Sequence, residues 1–412
     1  MKKFLIILGL LFLTFCGLII YNSYSKLDIP TLVIEDKVIN VEKLYIYGTH
    51  LNMEGSHYLI DEAELVLYNG NFLVYKINTV GNSFNLSEYL NDGLYLDDIP
   101  SGKYYLFLRT KYVEDGEEKY KYFALKNNTE YEETTYYTMS NYGKKVIVNN
   151  DDKYPTMMIS VEKVSNKEVY DIVIDPGHGG IDCGASKNGY KEIDFTMNIA
   201  SKLKIKLEEY GFKVKLTHEE GQLSNTEKLN EYGPNGRAVI PREVNAKYLF
   251  SIHLNSSNYS SVNGLELYTA KNINYDFSKL LVQNITSNTG INYSNNIINK
   301  IDNGIYSRNF TEDDIIDTIN DYKIEKLIPY DVTTNSNYYY MIRETGGIVT
   351  GAYVDGRNRE ILGNPYTKNN VGTEAYLLEL GYLSNKGDLN NMVKNLDKFV
   401  EAIATSIQTL YK

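Results

Sequence analysis

Four polar side chains stand where apolar runs pass into loops. His178 follows Ile172-Val173-Ile174 in the stretch DIVIDPGHGG (Asp171–Gly180). Asp175-Pro176-Gly177 stops that run, so it reads as a central strand leaving into a tight turn. Proline ends the ladder, and the glycines let the backbone come close to whatever the imidazole holds. Glu192 comes fourteen residues later, at the start of an amphipathic helix marked by Ile193, Thr196, Ile199, Ala200, Leu203 and Leu207. His253 ends the apolar run YLFSIH (Tyr248–His253), and Glu379 falls within AYLLEL (Ala375–Leu380). Two imidazoles and one carboxylate, with a fourth position open, are the ligand set of a catalytic zinc site. A carboxylate such as Glu379 is costly to bury without a task. Each residue alone has an ordinary reading: Glu192 as a helix-start charge favoured by the dipole, His253 as a satisfied core histidine, Glu379 as an ion-pair partner. Four such coincidences at four element ends are harder to accept than one site.

The elements that must position these groups form two parts. From about residue 167 to 412, strands alternate with helices: FKVKLT (Phe212–Thr217), YLFSIH, GLELYT (Gly264–Thr269), AYLLEL, and a last helix from about Leu389 to Tyr411. That alternation predicts a parallel or mixed sheet with helices on its faces. Ligands then gather at the carboxyl ends of the strands. Residues 27–166 read as all-β, with runs at Lys43–Tyr47, Ala63–Tyr68, Phe72–Ile77, Tyr104–Thr110, Tyr120–Leu125, Lys145–Val148 and Met157–Val161. Turn dipeptides such as Asn69-Gly70 and Asp115-Gly116 separate them. About seven such strands predict an immunoglobulin-like sandwich, serving as a spacer. His50 and His57 lie in it without a supporting carboxylate and read as ordinary loop histidines.

In residues 1–26, Lys2 and Lys3 precede an apolar run from Phe4 to Tyr21, long enough to span a bilayer. The basic flank places the remainder outside the cytoplasm, so a transmembrane signal anchor is expected. A cleaved signal giving a secreted form is the alternative, with lipidation at Cys16 a third. Among 412 residues, 42 basic against 53 acidic side chains leave a net charge of -11. That balance excludes the basic stripe of a nucleic-acid surface. Two cysteines, Cys16 and Cys183, exclude a disulfide framework and a cysteine-based zinc site.

DPGHGG, the Lys191-Glu192 pair, SIHLN (Ser251–Asn255), GLELYT and LLELGYLSN (Leu377–Asn385) closely resemble the zinc-dependent N-acetylmuramoyl-L-alanine amidases of bacterial cell walls. The match covers roughly residues 168–270 and 372–410. The resemblance implies an α/β fold with a mostly parallel six-stranded sheet flanked by helices. It implies Zn2+ held by His178, Glu192 and His253, with Glu379 as the catalytic carboxylate. Arg237, sixteen residues before His253, falls where the family has an arginine between helix and sheet, and the resemblance places it with Glu379 as a catalytic residue. The implied substrate is peptidoglycan, cut between the lactyl group of N-acetylmuramic acid and the L-alanine of the stem peptide. A zinc peptidase acting on another peptidoglycan amide, and an amidase-like scaffold whose site is held off, are the competing readings.

Three departures from the family pattern stand out. Thr217-His218 replaces a threonine-arginine pair, and His218 reads as a loop neighbour of the site. Pro241-Arg242 replaces alanine-asparagine, which predicts a broken local helix. The polar stretch between Ala270 and Gly372 is longer than the resemblance implies. It holds a helix at Asp276–Thr289, the acidic run Glu312-Asp313-Asp314 and a Gly-rich piece, Glu344–Arg357. Such an insertion (about 270–372) reads as a lid or binding loop. In some family members a helix there blocks the site until a protein activator removes it. Cys183 reads as a free thiol without a role.

Overall fold

The computed structural model describes residues 34–58, 62–128, 134–138, 143–152, 154–164, 170–219, 236–238, 240–244, 246–324, 332–345 and 373–411. The expected anchor at 1–26 lies outside the described residues. Among the described residues, no helix is long and apolar enough to cross a membrane.

The first part is all-β, as expected, but with twelve hydrogen-bonded strands. All seven predicted runs fall on strands. The five additional ones are His50–Ser56, Asn78–Val80, Ser83–Asn85, Leu94–Tyr95 and Thr134–Thr138, short or too polar to alternate visibly. Pairing is antiparallel except between Ile39–Tyr47 and Glu117–Asn127. The larger strand number and the parallel pair leave an all-β domain without an immunoglobulin-like assignment. Asp115 and Gly116 both take positive φ (54° and 80°) between Gly102–Glu114 and Glu117–Asn127. A two-residue turn of that hand matches the twist of the strands it joins.

The second part carries a seven-stranded sheet in the order Val214–Leu216, Ile172–Pro176, Tyr248–Asn255, Glu374–Tyr382, Glu266–Thr269, Ile305–Tyr306, Lys300–Asp302. The first four strands run parallel; Glu266–Thr269 is antiparallel to Glu374–Tyr382. The expected count of six is corrected to seven: five strands lie outside the insertion and the insertion contributes two. Asn303-Gly304 joins that pair, with Gly304 at φ 72°. Helices Glu192–Glu209, Asp276–Thr289 and Lys386–Gln408 pack on the sheet and on one another. Phe277 and Phe250 both contact the Tyr376 ring, at 5.1 and 5.4 Å between centroids. Strand alternation then sends Ser251, His253, Leu377 and Glu379 to the opposite face. The one-turn helix Ile240–Glu243 accommodates Pro241 near its start, where a missing N–H costs nothing. The expected break is thus a shortening.

The insertion is not a detachable cover over its described length. Ile305, Tyr306, Met341 and Ile342 belong to the hydrophobic core of the second part, and Thr373 N–H donates to the Thr345 carbonyl at 2.7 Å. The Gly-rich piece beyond Thr345 lies outside the described residues.

The two parts meet at the amino ends of the parallel strands of the seven-stranded sheet. Lys247 Nζ lies 2.5 Å from Asp97 Oδ2 and donates to the Tyr95 hydroxyl at 3.0 Å. Asn91 Nδ2 donates to Glu374 Oε1 at 3.1 Å, and the Tyr376 hydroxyl donates to the same oxygen. Tyr47, from the first β-strand of the chain, is buried within the hydrophobic core of the second part.

Candidate metal centre

His178 sits in the loop after Ile172–Pro176 at φ 68°, a conformation side-chain-bearing residues rarely take. Gly179 and Asp182 exchange backbone hydrogen bonds of 2.9 and 3.0 Å, which close this loop. Two glycines leave room for the imidazoles. A Cβ on Gly177 would stand 2.5 Å from the His253 ring, and one on Gly184 would stand 2.6 Å from both the His178 ring and Glu192 Oε2.

Glu192 opens its helix and is almost fully buried. Its Oε2 accepts from Ala185 N–H at 3.0 Å and its Oε1 from Leu254 N–H at 2.8 Å. The same Oε1 faces His178 Nε2 at 3.0 Å and His253 Nδ1 at 3.2 Å. The imidazole rings stand 4.9 Å apart, nearly perpendicular. Ligand atoms of His178, Glu192 and His253 all fall within 4.8 Å of one another. Sequence separations of fourteen and sixty-one residues thus close into one cluster, as expected. Burial opposes a charge on Glu192, but hydrogen bonds from both histidines outweigh it and hold the carboxyl well below the usual range. Burial also works against a charged His178, yet Glu192 and Asp182 raise it to about 9. In His253, burial prevails over Glu192 and lowers it. An ionised carboxylate facing two ring nitrogens is a donor set that fits zinc, with a metal taking the place of the protons that now join them.

Glu379 pairs in register with His253 on one side and with Glu266 on the other. Burial, then the charges of Glu192 and Glu266, push its carboxyl well above the usual range. Its Oε2 is shielded from solvent and has no hydrogen-bond partner among the described residues.

Arg237 does not join the cluster. Its guanidinium grips Asp175 through Nε and Nη2 at 2.8 and 2.7 Å, and both residues are buried. Asp175 also accepts from Thr217 Oγ1 at 2.7 Å and Ser251 Oγ at 2.6 Å, tying together three strand ends below the site. His218 is buried beside this group, with burial lowering it to about 4; its Nδ1 lies 3.0 Å from Thr217 Oγ1. Cys183 Sγ lies 3.4 Å from Ser186 Oγ and takes no part in the cluster. His50 and His57 lie in the β domain, apart from the cluster, and both are more enclosed than loop histidines.

Two residues at the site went unassigned in the sequence. Asp182 Oδ2 lies 2.5 Å from His178 Nδ1; a carboxylate four residues after the histidine was the only available signal. Glu266, in GLELYT, is fully buried and accepts from Asn255 Nδ2, Tyr268, Ser294 and Tyr382 hydroxyls. Apart from Tyr268, its donors lie 11 to 116 residues away and left no local pattern.

The family model for N-acetylmuramoyl-L-alanine amidase matches residues 172–409, more than half of the chain. The "Probable cell wall amidase LytH" of Staphylococcus aureus is 34% identical over 100 residues, which cover 24% of this chain and 30% of that protein. The chain thus aligns with under a third of the curated relative's length. Solved structures similar to it include the catalytic domain of the amidase CwlV from Bacillus (Paenibacillus) polymyxa var. colistinus. That structure shows 21% identity, covering 59% of this chain and 98% of that one, with a TM-score of 0.38. The CwlD amidase of Clostridioides difficile, solved with the GerS lipoprotein, shows 21% identity over 58% and 97%, also at 0.38. With the family's match running from the strand that leads to His178 through the last helix, the chain belongs to the N-acetylmuramoyl-L-alanine amidase family.

Proposed function

We propose that this chain hydrolyses the amide between the lactyl group of N-acetylmuramic acid and the L-alanine of the peptidoglycan stem peptide. His178 Nε2, Glu192 and His253 Nδ1 would hold Zn2+. When bound, that ion would supply Lewis acidity toward a water and a carbonyl oxygen, lowering the water's pKa from 15.7 toward about 7. The carrying observation is Glu379, held in register beside His253 with one enclosed oxygen that no group among the described residues satisfies. Such a carboxylate can accept the proton of an attacking water and pass it to the leaving amine nitrogen. Arg237 acts through Asp175, fixing the strand end that delivers His178, and does not itself meet the substrate.

In this reading residues 167–412 form the catalytic domain and 27–166 an accessory domain. Residues 1–26 anchor the protein at the outer face of the membrane, within reach of the wall. A protein activator would act on the insertion at about 270–372.

The test is to incubate the purified zinc-loaded chain with purified peptidoglycan and to identify the products by mass spectrometry. Free stem peptides beginning with L-alanine are expected. Cuts inside the stem would make it a peptidase, and no release from a fully loaded site would make it a scaffold.

A further inference from the structure

We propose that Asp182 is a positioning residue for the metal centre, holding His178 in the one orientation and tautomer that offers Nε2 as a ligand. This inference rests on the reading of His178, Glu192 and His253 as metal ligands. An imidazole gives a lone pair from one nitrogen only when the other carries the proton, and the partner of that other nitrogen decides which is which. Here Asp182 Oδ2 stands 2.5 Å from Nδ1, while Nε2 faces Glu192 Oε1 at 3.0 Å. Once a metal replaces the proton between Nε2 and Glu192, the remaining proton belongs on Nδ1, against Asp182, and the lone pair on the side of the cluster.

Asp182 is itself fixed. Its Oδ1 accepts from Gly184 N–H at 2.9 Å, and its backbone exchanges two hydrogen bonds with Gly179. The loop from His178 to Asp182 is thus closed on both backbone and side chain. This matters because His178 occupies a left-handed backbone conformation that the surroundings must enforce. Among the described residues no second carboxylate besides Glu192 is hydrogen-bonded to His253. Asp182 therefore orients one metal arm and not the other.

The readout is zinc affinity of the full chain, measured by chelator competition without substrate, for wild type, Asp182→Ala and Asp182→Asn. Loss of such a partner weakens metal binding about 10–100-fold. Asp182→Ala should show that loss. Asp182→Asn, which still offers an oxygen to Nδ1–H, should recover most of the affinity. At saturating zinc, turnover by both variants should return to within a few-fold of wild type, which a collapsed loop would not allow. Circular dichroism reports folding, and if the alanine variant does not fold, the asparagine variant measured against Asp182→Ser decides. Affinities equal to wild type in folded variants overturn the proposal, as does wild-type protein that binds no zinc. Absence of amidase products with zinc bound would count against the proposed reaction alone.

Discussion

At the base of the catalytic sheet, Lys247 and Glu374 are almost completely buried and each is answered from the β domain. Asp97 and Tyr95 meet the ammonium, and Asn91 meets the carboxyl. At the other end of the same strands, Glu379 has neighbours of its own sign and an oxygen without a partner among the described residues. Strand Glu374–Tyr382 carries both carboxyls, five residues apart. One end is closed by hydrogen bonds that span the two parts of the molecule. The other keeps an enclosed acid in a strained electrostatic setting beside two imidazoles, an arrangement that stability alone does not favour. The contrast separates what holds the protein together from what it does.

Removing a metal arm is the harshest way to break the open end. His178→Ala or His253→Ala should leave the protein folded but without stoichiometric zinc, and with no measurable product release; metal analysis and product assay together check this. Glu379→Gln should reduce turnover about 10²–10⁴-fold while zinc content stays at the wild-type level. Its melting temperature should hold or rise, because an enclosed carboxyl beside Glu192 and Glu266 becomes a neutral amide. At the closed end the signs reverse. Lys247→Ala removes the buried cation of the ion pair with Asp97 and should cost about 3–5 kcal/mol of stability, measured by denaturant titration, with zinc uptake and turnover per folded molecule unchanged.

The smallest expected effect concerns His50, near Lys247 and Asp97. Burial first, and Lys247 second, lower it to about 4, with Asp97 opposing. In the unfolded chain its pKa is about 6.5. The unfolded state therefore binds the extra proton first as pH falls. The contribution of neutral His50 is whole above about 6.5 and fades as pH falls toward 4, at a rate approaching about 1.4 kcal/mol per pH step between those two values. Denaturation midpoints at pH 7 and pH 5 should diverge less in His50→Asn than in wild type. Equal divergence would remove His50 from the pH response of the base.

How much of this was legible before the structure depended on the range of the interactions. Helix Asp276–Thr289 was readable to the residue because Gly290 stops it in the left-handed conformation at φ 75°. The strands leading to His178, His253 and Glu379 were readable from their apolar runs, but only His178 lies beyond its strand's end. Tyr248–Asn255 and Glu374–Tyr382 run two and three residues past His253 and Glu379, which corrects the reading of those two as element ends. The outer hairpin was missed although Asn303-Gly304 was in plain view, since Lys300–Asp302 is exposed throughout and shows no alternation. Asp175 and Arg237 lie 62 residues apart, Lys247 and Asp97 150. No local pattern marks such pairs, so Arg237 looked like a candidate for chemistry when it is the clamp on a strand end. Glu266 was hidden for the same reason.

The central claim is that Glu379 handles the proton of an amide hydrolysis beside a metal centre it does not help to bind. It is tested most directly by measuring, in one experiment, zinc content and the release of L-alanine-ended stem peptides from peptidoglycan for wild type and Glu379→Gln. Equal zinc with release by wild type and at least about 10²-fold less by the variant is the predicted result. Equal release by both proteins, or loss of zinc in the variant, would contradict it.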